Sequence, residues 1–117
     1  MRQTFSDDGG RTWSPMKENG ICGLPPHLIS LGGRRVVCVY GRRLEKPGFG
    51  EFAAISDDGG ETWDLANEVT LATSHSSDLG YPSTAVLPDG TLVTVYYQQR
   101  VKGEKPCLMA TKWRITK

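Results

Sequence analysis

Cysteine is scarce. Cys22, Cys38 and Cys107 are odd in number, far apart and never in CxxC spacing, which excludes a disulfide framework and the usual zinc-ligand pattern. Reduced structural thiols are expected, with no metal or other cofactor. An excess of either charge is missing too: 14 Lys and Arg stand against 13 Asp and Glu, a net +1 with no basic stripe. Counterion release on a phosphate backbone and attraction to an anionic membrane therefore have no charge pattern to draw on, so neither nucleic acid nor a membrane is an expected partner. No apolar run approaches the roughly 18 residues of a membrane-spanning helix. The start, MRQTFSDDGG, lacks the hydrophobic segment of a secretory signal, and the compartment stays unassigned. A sustained 3.6-residue period is absent, as are GxGxxG, P-loop, HExxH and GxSxG patterns, so nucleotide, zinc-protease and serine-hydrolase readings find no support.

What the chain does have is turn formers and repetition. Its 117 residues, enough for one small domain, include 14 Gly and 7 Pro, the composition of many short strands joined by tight turns. SDDGGRTW at Ser6–Trp13 returns as SDDGGETW at Ser56–Trp63, an offset of 50 residues (56 − 6). GLPPHLISLGGRRVVCVYGRR from Gly23 matches GYPSTAVLPDGTLVTVYYQQR from Gly80, an offset of 57 (80 − 23). LMATKW at Leu108–Trp113 reads as a decayed third copy, with Thr111 against Ser56. A 50-residue period is the scale of one propeller blade. Gly32-Gly33 and Asp89-Gly90 each separate two apolar runs, predicting antiparallel hairpins of Pro26–Leu31 with Arg35–Tyr40 and of Ser83–Leu87 with Thr91–Tyr97. Phe52–Ser56 and Glu61–Leu65 are predicted as strands flanking the second SDDGG turn. Runs such as VVCVY and LVTVYY, apolar on both faces, predict sheets sandwiched between other sheets. About nine strands result: two, then four, then three.

The octapeptides match S-x-D-x-G-x-T-W at every defined position: Ser6, Asp8, Gly10, Thr12 and Trp13, then Ser56, Asp58, Gly60, Thr62 and Trp63. This is the Asp-box or BNR repeat, and the chain resembles the sialidase (neuraminidase) superfamily of Asp-box β-propellers. The resemblance implies an all-β fold: a partial propeller of two to three four-stranded antiparallel blades out of six, with repeat units at about 1–22, 23–79 and 80–117. The boxes themselves read as structural staples, in which Ser and Asp side chains bond their own turn and Trp anchors it. A closed propeller needs at least four blades, more than this length supplies. The chain is therefore expected to be the C-terminal part of a longer sialidase-like protein, its Met1 an internal methionine of that parent. The alternative is a ring closed by three copies.

The resemblance also implies a glycoside hydrolase acting on terminal, anionic sugars of glycans, an exo-α-sialidase where the parent is catalytic, and inactive as this chain alone. A non-catalytic propeller that binds carbohydrate or protein is the other reading. Sialidases bind the sugar carboxylate with arginines and attack with a Tyr activated by a Glu. Carried onto this sequence, Tyr81, which opens a strand in GYPSTAVL, takes the nucleophile position. Arg42 and Arg43, at a strand end where a loop faces the pocket mouth, are candidate contacts to an anionic sugar, since a guanidinium presents a two-pronged fork to a carboxylate. His27 in PPHL is a further candidate for substrate contact or proton transfer. Asp78 in SSDLGY is a candidate for orienting sugar hydroxyls. Glu45 and Glu51 flank KPGFG and receive no role. The acid/base Asp and the other arginines have no counterpart here.

Overall fold

The computed structural model describes residues 1–116 and contains only strands and turns among them. The chain runs β1 (Arg2–Gln3), β2 (Lys17–Glu18), β3 (Pro26–Ser30), β4 (Val36–Arg42), β5 (Gly50–Ser56), β6 (Val69–Thr73), β7 (Gly80–Val86), β8 (Leu92–Gln98) and β9 (Cys107–Trp113). All pairings are antiparallel, in three sheets ordered β1-β2, β3-β4-β5-β6 and β7-β8-β9. The division of nine strands into two, four and three is the one read from the sequence.

Each Asp-box folds as a network closed on itself. Ser6 Oγ donates to Asp8 Oδ1 at 2.9 Å and accepts the Gly10 N–H at 2.8 Å, while Thr12 gives its N–H to Oδ1 at 2.9 Å and its hydroxyl to Oδ2 at 2.6 Å. Around Asp58, Ser56, Gly60 and Thr62 repeat the pattern at 2.7, 2.8, 2.9 and 2.5 Å. A carboxylate accepting this many bonds is held ionised. The Asp8 carboxyl is lowered to about 2, with the Thr12 hydroxyl the largest cause, and Asp58 is lowered further for the same reason through Thr62.

This network moves one predicted strand. Residues 61–65 were expected to form the fourth strand, yet Thr62 and Trp63 are still within the box, and Asn67 N–H bonds Asp64 Oδ1 in a further turn. The strand forms at Val69–Thr73 instead. The hairpin offset also needs correction. The turn bond from Leu87 N–H to Thr91 O repeats that from Leu31 N–H to Arg35 O, so the hairpins superpose at an offset of 56 (87 − 31), not 57. His27↔Val39 therefore corresponds to Ser83↔Val95. Trp113 stands where Ser56 does, opposite Leu92 as Ser56 is opposite Val36, so Thr111 is not the equivalent of Ser56.

The two faces of the central sheet bury different clusters. Cys38, Tyr40, Phe52 and Ala54 pack with Ile21, Met1 and Trp63 toward β1-β2. Val37, Val39 and Ala53 pack with Ile29, Leu31, Val69, Leu71 and Trp113 toward β7-β9. Burying these branched side chains contributes about 1.5–3 kcal/mol apiece. The Cys38 thiol, enclosed in the first cluster, is pushed up to about 12 by burial, which makes it a packing group rather than a nucleophile.

Candidate functional site

Two chain segments meet where β4 ends and β7 begins. The approach is close because Gly41 has no side chain: a Cβ there would lie 3.1 Å from Gly80 Cα and 3.1 Å from Leu79 Cδ1. The backbone is unusual at the same point. Gly80 has φ 122° and Tyr81 φ 53°, which makes Tyr81 the one residue other than glycine with positive φ among those described. A bulky side chain in that region costs energy and persists only where surrounding contacts impose it. The Tyr81 ring points outward, 66% exposed.

Arg43 imposes those contacts. Its Nε donates to Leu79 O at 2.9 Å and its Nη2 to the Tyr97 hydroxyl at 3.3 Å, while the guanidinium lies 5.2 Å from the centre of the Tyr81 ring. Tyr81 and Tyr97 are stacked with centroids 5.9 Å apart and planes at 27°. The Tyr97 phenol is raised from its ordinary value chiefly by burial, against the effect of Arg43, with the Asp78 carboxylate also favouring the protonated form. Four side chains thus converge: Arg43, Tyr81, Tyr97 and Asp78. Arg43 makes no ion pair among the described residues.

Arg42 and His27 lie elsewhere. Strand alternation turns Arg42 to the opposite face. There it is 5% exposed, pairs with Glu68, donates to Cys22 O at 3.0 Å and lies 4.0 Å from the centre of the Phe52 ring. The Tyr40 hydroxyl donates to the same Glu68 carboxylate. These contacts bind strands together and use up the fork that would grip a ligand. His27 accepts the Thr84 N–H on Nδ1 at 3.0 Å. That bond fixes the ring proton on Nε2 and pins β7 to β3.

Tyr97 and Glu51 carry more of the site than the sequence suggested. Glu51 sits on β5 opposite Gly41 and is 0% exposed, with neither carboxyl oxygen hydrogen-bonded. Burial pushes it up to about 7, against the pull of the nearby Arg43. Its signal was present: a Glu inside GEFAAIS, an otherwise apolar strand. Ser74 Oγ and Gln98 Oε1 are buried without partners as well. Gln98 donates to Thr73 O at 3.1 Å, and Thr73 pairs with Gly50 beside Glu51.

An all-β chain of three antiparallel sheets with an arginine-tyrosine corner is thus the class that the structure defines. No protein-family model matches the sequence, and no curated protein matches it. The chain is similar to a crystal structure of a protein of unknown function from Dyadobacter fermentans, at 30% identity and a TM-score of 0.76 over 93% of this chain. It spans 29% of that longer chain.

Proposed function

We propose that the chain is part of a sialidase-like Asp-box propeller and that its Arg43–Tyr81–Tyr97–Asp78 corner binds an anionic sugar. One observation carries this reading: the Arg43 fork is held by Leu79 O and the Tyr97 hydroxyl, forms no ion pair with a carboxylate among the described residues, and stands beside an outward-facing tyrosine at positive φ. A guanidinium so placed binds a carboxylate by charge-assisted hydrogen bonds. The stacked tyrosines offer a flat apolar surface to a sugar ring. The Asp-boxes and the sheets of two, four and three strands support the propeller reading. In a parent that completes the ring, Tyr81 is the nucleophile of a retaining hydrolysis. Its hydroxyl passes its proton to a base residue outside this chain as the oxygen bonds the anomeric carbon, and the aglycone leaves with a proton from an acid residue also outside it; water then gives a proton to that acid's carboxylate while its oxygen displaces the Tyr81 oxygen, which takes back its own proton, and the sugar is released with its configuration kept. No residue of this corner is assigned that acid's role, so binding without turnover is the expected activity of this chain alone.

The test is calorimetric titration with N-acetylneuraminic acid. Saturable binding that weakens about 10- to 100-fold in Arg43→Gln, the weight of a charged hydrogen-bonding pair, and stays unchanged in Arg100→Gln, at an exposed arginine beyond β8 that pairs with Glu104, supports the reading. Equal affinity in Arg43→Gln sinks it.

A further inference from the structure

Outside the corner lie an exposed apolar face on β7-β9, a cavity beside Trp113, and the buried carboxylate of Glu51. Glu51 is held on β5 opposite Gly41, the point where Gly80 makes its closest approach, and Gly80 leads directly into Tyr81. The carboxyl group therefore lies under the turn that presents Tyr81. It has no hydrogen-bond donor among the described residues. Burying a carboxylate without donors is costly unless a positive charge is near or the group takes up a proton. Arg43 is the positive charge near it, and Arg43 is also the group proposed to hold the ligand.

Among the described residues, Arg43 is the cation that acts on Glu51. Around Glu51, β4 contributes Gly41 and leads into Arg43; β6 contributes Ala72 and Thr73, and beyond it come Ser74 and His75; the segment entering β7 contributes Asp78, Leu79 and Tyr81; β8 contributes Tyr97 and Gln98. His27 on β3 shares the sheet face but is occupied by Thr84. One buried acid thus shares one half-buried base with whatever anion arrives.

We infer that Glu51 sets the charge preference of this corner: protonated, it leaves Arg43 to an anionic sugar; ionised, it neutralises Arg43 and repels that sugar. The inference rests on the sugar reading above and adds its regulation by pH. Burial of Glu51 places the changeover near neutrality. Affinity for an anion then falls as pH rises, although the ligand's own carboxylate stays ionised throughout.

The experiment has two arms, both on the 117-residue chain. In the first, the 13C carboxyl signal of Glu51 is titrated in the wild type and in Arg43→Gln. A midpoint near 7 that moves upward in Arg43→Gln is expected; a midpoint in the ordinary range near 4, or one that Arg43→Gln leaves in place, overturns the inference. In the second, N-acetylneuraminic acid is titrated at about pH 5.5 and about pH 8.5. The wild type is expected to bind about tenfold more weakly at the higher pH, as one charge acting across several ångströms at intermediate dielectric would cause. The isosteric Glu51→Gln is expected to bind equally at both. A pH dependence retained in Glu51→Gln overturns this inference and leaves the sugar reading standing. No binding at either pH overturns the sugar reading, and the charge preference with it.

Discussion

At the scale of single residues, the two adjacent arginines show how far local sequence reaches. Arg42 and Arg43 are identical in type and looked equally suited to an anion, yet alternation along β4 sends one into the protein and the other to the rim. Only the partner strand's register says which. The Asp-box residues were legible because all their bonds are made within eight residues. Glu51 left only the trace of an acid in an apolar strand, because its burial depends on β6 and β7, which are distant in sequence. Asp58 and Glu51 have opposite consequences for stability. The Asp58 carboxyl is depressed in the fold, so its contribution is present above about pH 4 and is lost as pH falls toward the folded value. Asp58→Asn should therefore lower the melting temperature at neutral pH and flatten its decline in acid; an unchanged acid profile would count against the network. Glu51 is raised, so the fold binds its proton more tightly than the unfolded chain does. Stability should fall as pH rises from about 4.5 to about 7, by roughly 3 kcal/mol for that shift, and Glu51→Gln should remove the fall. Denaturant unfolding from strongly acidic pH to above neutrality reads both effects.

At the scale of elements, the hairpins were readable from Gly32-Gly33 and Asp89-Gly90, since a two-residue turn and alternation suffice to define them. The fourth strand was displaced because the Asp-box claims Thr62 and Trp63 for its own turn. The one-residue correction in hairpin offset matters for function, because a one-residue slip exchanges the faces of a strand. With the offset at 56, Tyr97 corresponds to Gly41, while Tyr81 falls in a register shift between Gly80 and Ser83 that breaks the correspondence on that strand. Arg42 is the tie between elements: with Glu68 and Tyr40 it joins β4 to the segment before β6. Arg42→Met should destabilise by about 2–4 kcal/mol by stranding the Glu68 carboxylate, with sugar affinity unchanged in the protein that remains folded. Loss of affinity alone, with stability intact, would return Arg42 to the site.

At the scale of the whole molecule, the sheets repeat one packing scheme and leave it open at the end. Val93, Val95 and Ala110 on β7-β9 hold the positions that Val37, Val39 and Ala53 hold on the central sheet. The latter three are 0% exposed beneath β7-β9, whereas Val95 is 41% exposed. The other end is open too. Trp63 donates to Gln3 Oε1 at 2.9 Å and is half-buried, while Trp13 turns back to its own Gly10 O and is 61% exposed. Apolar surface left uncovered in this way favours association. Light scattering should show mass rising with concentration, and Val95→Lys should suppress the rise; a mass independent of concentration in the wild type would contradict this. The sheet arrangement was visible in the repeats, but the composition of the corner required long-range register. Amide NMR during titration with N-acetylneuraminic acid tests most directly whether this corner receives an anionic sugar. Shifts concentrated at Arg43, Leu79–Tyr81 and Tyr97 are the result predicted. Shifts confined to the Asp-box turns, or a spectrum that does not change, would contradict it.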